Sequence, residues 1–325
     1  MNITLTGNLG AGKTSVCKEL EKMGYQILST GAIFRKIAEE KGISVLELNE
    51  LAKKDRSIDD MIDNRTIELG KKVNNTIFDS RLAWNFIPDS FKVFLYIDTD
   101  EAAKRVISGE NREAESYTSF EDAKTSLYMR ARLEQARFKE LYNIDYYNAA
   151  NYNLVIETTS ATPEEIAKEI ARNFEAYQQK AFQGTKIELN ISSIYPTQNF
   201  RDFNNETFME YLQKENNNQT DCALDTAPVT LKDGFYYLLD AHHRTYAAAN
   251  AGKKFVAVNI FTDDKSRNTV PYINKTELYD FEDIGKFRYK KYPNESKSGY
   301  NLNIADIAIH TKNQNRIIDE NTLEL

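Results

Sequence analysis

Short apolar runs and amphipathic stretches alternate along the first half of the chain. The predicted strands are residues 2–6, 25–28, 76–79, 92–97 and 153–157, and the predicted helices are residues 32–41, 44–53, 58–72, 100–107, 120–142 and 163–181. One further helix, with Val16, Leu20 and Met23 on one side, follows the first strand. Because strands that alternate with helices are typical of a parallel sheet with crossover connections, the pattern predicts an α/β fold.

The three predicted helices between residues 32 and 72 are rich in polar residues, and each carries only a narrow apolar stripe. A helix with so little apolar surface buries little of itself against a core. We therefore expect these helices to form a mobile cover over a site.

The order of elements changes near residue 182. A glycine at position 184 follows the last helix of the alternating region, as is common at helix ends. Beyond it we predict strands at residues 186–191, 229–231, 235–239 and 255–261, helices at 206–214 and 242–251, and a polar loop at 215–226. The chain is thus predicted to form two domains, residues 1–181 and residues 182–325. The second is a smaller α+β domain with a polar extension, in which residues 301–310 are a last helix and the chain from 311 a frayed tail.

Composition narrows the class of protein. Of the 325 residues, 41% are apolar, which is enough for real cores, and no apolar run approaches the ~20 residues of a membrane span. A strand that begins at residue 2 leaves no room for a signal peptide, so we expect a cytoplasmic protein that does not cross a membrane. Cys17 and Cys222 have no partner spacing, so neither a disulfide framework nor a zinc site is expected.

Charge argues against nucleic acid as the main partner. Residues 1–180 carry 25 Lys and Arg against 29 Asp and Glu, a net charge of −4, and the remainder carries 17 against 20, a net charge of −3. Affinity for nucleic acid depends largely on a basic face. The basic and aromatic cluster at residues 287–292 is the one stretch that leaves this partner open, and a solvated face is the simpler interpretation.

The chemical centre of the first half is the sequence GNLGAGKT at residues 7–14. A glycine, four residues and then Gly-Lys-Thr form the phosphate-cradling loop between a strand and a helix, where backbone N–H groups and the helix dipole favour anions. In such a loop Lys13 reaches the β- and γ-phosphates, and the Thr14 hydroxyl holds Mg²⁺. The predicted nucleotide-binding residues are Gly7, Asn8, Gly10, Ala11, Gly12, Lys13, Thr14 and Ser15.

Four blocks in the first half resemble the cytidylate kinases, and the compact archaeal type more than the longer bacterial form. They read GNLGAGKTSV, LSTGAIFRKIAEEKG, IFDSRLAW and RARLEQARFKELYNIDYYNAANYNLVIETT, within roughly residues 1–175. The resemblance implies a P-loop kinase that uses ATP and Mg²⁺ to phosphorylate a nucleoside monophosphate. It also implies that Ser29, Gly31 and Arg35 hold this acceptor and that Arg81 meets the acceptor's phosphate.

The long predicted helix adds a third set of residues. Arg130, Glu134 and Arg137 share one helix face at i, i+4 and i+7. The simpler interpretation is a solvent-exposed helix face that carries ion pairs. The resemblance implies instead that the two arginines clamp phosphates, while Glu134 orients an arginine or contacts the base.

All three histidines lie beyond residue 240, so the first half has no histidine base. A monophosphate acceptor needs none, because its attacking oxygen is already an anion. A hydroxyl acceptor would favour a carboxylate base, and Asp79 is the candidate for that role or for a position near the metal.

Two positions depart from the resemblance. Ala32 stands where many cytidylate kinases carry an acidic residue, and residues 79–81 read Asp-Ser-Arg where archaeal-type members read Glu-Gly-Arg. The acceptor could therefore differ from plain cytidine monophosphate.

In the second half, Asp240, His242, His243 and Arg244 surround a predicted helix start, where cations and free N–H groups can bind an anion. The alternative is a capping Asp240, a packed histidine and a structural Arg244. Together with residues 193–201, the block resembles the ParB/sulfiredoxin-like superfamily over residues 186–262, although Ala241 replaces the usual glycine. This resemblance implies a second phosphate site.

The favoured function is therefore a nucleoside monophosphate kinase of the CMP or dCMP type. Two alternatives stay open. One is a nucleotide-binding regulatory or DNA-associated ParB-like protein, and the other is a small-molecule kinase, similar to free serine kinases, that acts through the second domain.

Overall fold

The computed structural model describes residues 1–52, 55–108, 117–196, 206–217, 226–232 and 235–261. The chain divides into two compact units. The first comprises Met1–Tyr96 and Ala150–Lys186, and the second comprises Ile97–Ala149 and the chain from Ile187 onward. The boundary predicted at residues 181/182 stays a prediction.

Ten strands and ten helices make up the regular structure of the described residues. In chain order they are β1 (Ile3–Gly7), α1 (Lys13–Lys22), β2 (Gln26–Ser29), α2 (Thr30–Lys41), α3 (Val45–Ala52), α4 (Ser57–Lys72), β3 (Thr76–Asp79), α5 (Ala83–Phe86), β4 (Phe91–Tyr96), α6 (Thr99–Ser108), α7 (Phe120–Tyr142), β5 (Leu154–Glu157), α8 (Pro163–Gln178), β6 (Lys186–Asn190), β7 (Ile194–Pro196), α9 (Glu206–Asn216), β8 (Ala227–Lys232), β9 (Phe235–Leu238), α10 (His242–Asn250) and β10 (Phe255–Phe261).

The five strands of the first unit lie in the order β2-β3-β1-β4-β5. Every pairing among them is parallel, which confirms the predicted α/β fold. The carboxyl ends of parallel strands meet at one edge of a sheet, and ligands of such folds bind outside that edge. In this unit the edge carries the residues that follow β1, β2 and β3.

The sheet of the first unit is covered by helices whose apolar residues face it. Helix α1 buries Val16, Cys17 and Leu20, but Met23 is 46% exposed. The expectation that Met23 shares the buried face was wrong, because it is the residue that caps the end of α1. Helix α8 begins with a capping box between Thr162 and Glu165, and it ends three residues earlier than predicted.

Helices α2, α3 and α4 share a small core of their own. Their narrow apolar stripes meet one another in a cluster of buried residues that comprises Ile33, Ile37, Ala38, Leu48 and Ile58. The Arg65 guanidinium on α4 also donates to both carboxylate oxygens of Glu40 on α2, at 2.8 and 2.5 Å. These helices therefore stabilise one another, and the predicted mobility of this cover stays a prediction.

The second unit contains the long helix α7, whose bounds match the predicted residues 120–142, and a mixed set of strands. Strand β10 pairs antiparallel with β6 and parallel with β8. Strand β8 pairs antiparallel with β9, which pairs parallel with β7. Helices α9 and α10 pack together through Phe208 and Tyr246, whose ring centroids lie 5.3 Å apart.

Several predictions fall outside the described residues: the cluster at 287–292, the helix at 301–310, the tail from 311, residues 197–201 of the second resemblance and most of the loop at 215–226. Two short elements, α5 and β7, were not predicted, because three or four residues carry too little periodicity. Across the described part of the chain, no helix is long and apolar enough to cross a membrane.

Candidate active site

The loop between β1 and α1 depends on its glycines. Gly10 and Gly12 have φ values of 82° and 81°, in the left-handed region that other residues rarely adopt. Gly12 is the N-cap of α1 and makes no side-chain capping hydrogen bond. The backbone N–H groups at the helix start are therefore not capped by the side chain of the N-cap residue. The dipole of α1 adds partial positive charge at the same place. The backbone of this loop is thus compatible with the predicted nucleotide site, which stays a prediction.

Gly7, the last residue of β1, is required by close packing. A Cβ atom at this position would lie 2.4 Å from the Leu95 carbonyl oxygen on β4. The Asn8 N–H donates to that same oxygen at 3.1 Å, and Arg81 Nη1 donates to the Gly7 carbonyl oxygen. The peptide between Gly7 and Asn8 is therefore fixed on both sides where the loop begins.

The register of the sheet brings the predicted acceptor residues beside this loop. Asp79, the last residue of β3, is the register partner of Leu5 on β1 and of Ser29 on β2. Adjacent strands lie about 4.8 Å apart. The ends of β2 and β3 therefore place Ser29 beside Asp79 at the carboxyl edge, and β1 continues two residues beyond Leu5 to Gly7.

Ser29, Gly31 and Arg35 lie together at the start of α2. The Ser29 hydroxyl caps the helix by accepting from the Ala32 N–H at 3.1 Å. A Cβ atom on Gly31 would lie 3.6 Å from Arg35 Nη1 and 3.9 Å from Ser29 Oγ. The structure thus assembles the three residues predicted to hold the acceptor, and it gives Ser29 a structural role as well.

Asp79 is partly buried near the charges of Lys13 and Arg81. Burial raises the pKa of this carboxyl above its ordinary value, while the charges of Lys13 and Arg81 oppose the increase. Cys17, one helical turn beyond Lys13, is buried beside the same group. Burial, helped by the negative charge of Asp79, raises the pKa of the Cys17 thiol to about 12. This thiol therefore stays protonated and unreactive at neutral pH.

The backbone of Arg81 is held by two side chains that sequence reasoning did not select. Thr6 Oγ1 and Trp84 Nε1 both donate to the Arg81 carbonyl oxygen, at 3.3 and 3.1 Å. Thr6 is fully buried on a central strand. Since buried hydroxyls almost always find a partner, its position in an apolar strand was the signal that could have identified it.

The arginine face of α7 lies in the second unit. Arg130 Nε lies 3.4 Å from Glu134 Oε1, and the Arg130 side chain is half exposed. This ion pair is expected both for a solvated helix face and for a clamp that a carboxylate orients. The roles of Arg130, Glu134 and Arg137 at phosphates stay predictions.

The second predicted phosphate site has different electrostatics. Asp240 Oδ1 accepts from the Ala241 N–H at 2.6 Å, and Ala241 is the N-cap of α10. His242 is only 4% exposed. Burial lowers the pKa of His242 to about 4, although Asp240 opposes the shift. His242 is therefore neutral at pH 7, and His243 and Arg244, which are half-buried, are the remaining candidates for an anion.

The first unit thus has the fold and the loop of a P-loop phosphotransferase. A profile of the cytidylate kinase-like family matches residues 2–160. The cytidylate kinase of Methanobrevibacter smithii is 39% identical over 169 residues, which are 52% of this chain and 95% of that protein. The cytidylate kinase of Methanocella arvoryzae is 38% identical over 160 residues, 49% of this chain and 88% of that protein. The chain belongs to the cytidylate kinase-like family.

Among solved structures, a shikimate kinase from Bacteroides thetaiotaomicron is 16% identical and has a TM-score of 0.40, over 54% of this chain and 98% of that one. The family match confirms the predicted kinase domain. With the similarity to cytidylate kinases, it shows that the chain is a nucleoside monophosphate kinase. The family profile and the three proteins each match about half of this chain.

Proposed function

We propose that the chain transfers the γ-phosphoryl group of ATP to a pyrimidine nucleoside monophosphate, CMP or dCMP. The observation that carries the proposal is the register at the carboxyl edge, which sets Asp79 between β1, where the donor loop begins, and Ser29, where the acceptor residues begin. Phosphoryl transfer needs two phosphates held close together and in line, and neighbouring strand ends support such an arrangement. The cytidylate kinases of the two archaea support a pyrimidine acceptor.

The residues at this edge fit a magnesium ion. Mg²⁺ prefers hard oxygen ligands and is usually held by one or two protein side chains together with substrate phosphates. The Thr14 hydroxyl and the Asp79 carboxylate are oxygen donors of this kind. When bound, the ion neutralises charge on the transferred phosphate.

The chain's own groups would do the rest by positioning and charge. Lys13 pairs with the donor's outer phosphates, and the backbone of the loop holds them in place. Arg35, on α2, orients the acceptor, which lies against Ser29 and Gly31 at the start of the same helix. No base is required, because the attacking phosphate oxygen is already ionised. The roles of Arg130 and Arg137 rest on the family resemblance.

A panel of acceptors tests this function. The full chain is incubated with radiolabelled ATP, Mg²⁺ and each of CMP, dCMP, UMP, AMP and GMP, alongside small hydroxyl compounds. We expect the highest kcat/KM for CMP or dCMP. A wild-type chain that binds ATP but transfers phosphate to none of the monophosphates would contradict the proposal. A clear preference for another base would contradict a pyrimidine acceptor, an outcome consistent with the departures from the cytidylate kinase pattern at Ala32 and Ser80.

We also propose that residues 182–325 form a ParB/sulfiredoxin-like domain with a phosphate site at the start of α10. Two observations support this phosphate site: a strand, a turn and a helix follow one another from β9 to α10, and Arg244 is only half-buried. The neutral His242 would contribute no charge to it. If this domain is itself a small-molecule kinase, transfer to hydroxyl compounds should persist when Lys13 is replaced. If the domain is regulatory or associates with DNA, that replacement should abolish all transfer.

A further inference from the structure

The first peptide of the donor loop is held from both neighbouring strands. Its N–H, from Asn8, donates to Leu95 on β4, and its carbonyl, from Gly7, accepts from the Arg81 guanidinium just beyond β3. A peptide plane that is engaged at both ends cannot rotate without breaking both hydrogen bonds. The entry to the loop is therefore set by a side chain as well as by the sheet.

Arg81 is itself supported by a rigid base. Its carbonyl oxygen accepts from Thr6 and from the indole of Trp84. Trp84 is 5% exposed, and its ring packs edge-on against Tyr152 with the centroids 5.2 Å apart. Because the backbone of Arg81 is fixed in this way, its guanidinium can hold the Gly7 carbonyl in one orientation.

We propose that Arg81 is a positioning residue for the donor loop, and that its hydrogen bond to the Gly7 carbonyl sets the loop conformation that binds the phosphates of ATP. The inference rests on the proposed ATP site. It differs from the role at the acceptor's phosphate that the family resemblance implies, because it predicts an effect of Arg81 when no acceptor is present.

A hydrogen bond from a charged donor to a carbonyl is among the stronger ones in proteins. Without Arg81, the Gly7 carbonyl loses this charged donor and the loop gains alternative conformations. ATP must then select the binding conformation from a wider set, which lowers its apparent affinity.

The test is ATP binding to the full chain by calorimetry, with Mg²⁺ and without any acceptor. For Arg81→Met we expect about a tenfold or greater increase in the Kd of ATP, the effect of one charge-assisted hydrogen bond. Arg81→Lys should recover part of the affinity, since an ammonium also donates. Arg65→Met, which removes the exposed arginine paired with Glu40, is the matched control and should leave the Kd of ATP unchanged.

Two outcomes would overturn the inference. In the first, Arg81→Met binds ATP as tightly as the wild type while the KM for CMP increases, which would make Arg81 an acceptor residue only. In the second, which decides the matter if Arg81→Met does not fold by circular dichroism, Arg81→Ala, which also lacks a donor, binds ATP alone with the wild-type Kd. The binding measurement contains no acceptor, so it stands whether or not CMP is the substrate. Failure of the proposed function would instead appear as a wild type that binds ATP without transferring phosphate.

Discussion

Two helix starts in this chain have nearly the same backbone and different chemistry. Helix α1 begins after Gly12 at φ 81° and ψ 21°, and α10 begins after Ala241 at φ 67° and ψ 28°. Each N-cap is left-handed, and neither makes a side-chain capping hydrogen bond. Each helix also follows a strand that belongs to a sheet.

The difference lies in the first helical residue. Lys13 begins α1 and is only partly buried, so its ammonium can meet an anion at the helix start. His242 begins α10, but its ring is buried and uncharged at pH 7. The comparison teaches that two helix starts with similar backbones can carry a cationic or a neutral first side chain, so we expect α1 to attract phosphate more strongly than α10.

The largest expected effect is a difference in phosphate transfer between variants at the two helix starts. Lys13→Ala should lower kcat/KM for phosphate transfer to CMP by about two to three orders of magnitude, the usual loss when one preorganised donor to the transferred group is removed. Arg244→Ala, at the second helix start, should leave this transfer unchanged. Steady-state kinetics with labelled ATP measure both.

Lys18→Ala is the matched control for the first helix, because Lys18 is an exposed lysine of α1 that lies outside the loop. It should retain wild-type kinetics. If Arg244→Ala slowed transfer to CMP as strongly as Lys13→Ala, the contrast between the two helix starts would be wrong.

Much of the first site could be predicted from the sequence because its signals are local. The loop pattern at residues 7–14 is contiguous, and the alternation of strands and helices that predicts a parallel sheet follows from local periodicity. Contacts that depend on register could not be predicted in this way. The bond from Arg81 to Gly7 joins residues 74 positions apart, and the pairing of Ser29 with Asp79 exists only once the sheet has formed.

The second site shows the opposite case. The residue types from Asp240 to Arg244 suggest a cationic cluster, but the burial of His242 comes from tertiary packing, which periodicity does not reveal. The sequence left open a packed histidine beside a capping Asp240, and the burial of His242 agrees with the first part. Asp240 accepts from the N–H of Ala241, which precedes α10, so it does not cap an N–H of the helix.

The next prediction tests the buried histidine by pH. The pKa of His242 is about 4 in the folded chain, against an ordinary value of 6.5. As the pH decreases, the unfolded chain therefore takes up the proton first, so the contribution of His242 to stability is complete above pH 6.5 and decreases toward pH 4. Between pH 7 and 4.5 it should lower the free energy of opening of α10 by about 2–3 kcal/mol.

Hydrogen exchange of the amides of α10, compared with the variant His242→Gln at each pH, isolates this contribution. The variant should be less stable at pH 7 but should lose less stability on acidification. His243→Gln should keep most of the pH dependence but weaken it slightly, because the charge of His243 helps to lower the pKa of His242. An equal loss in the wild type and in His242→Gln would mean that His242 is not held neutral.

The smallest effect concerns the backbone that the two helix starts share. A non-glycine residue in the left-handed region costs about 1 kcal/mol, and the glycine at position 12 avoids this cost while Ala241 does not. Ala241→Gly should therefore stabilise α10 by somewhat less than 1 kcal/mol, since glycine also loses more freedom on folding. Ala249→Gly, in the right-handed part of the same helix, should destabilise it by about 1 kcal/mol. Opening free energies from hydrogen exchange measure both, and the opposite signs are the test: if both glycines destabilise α10, Ala241 is not strained and the parallel with Gly12 fails.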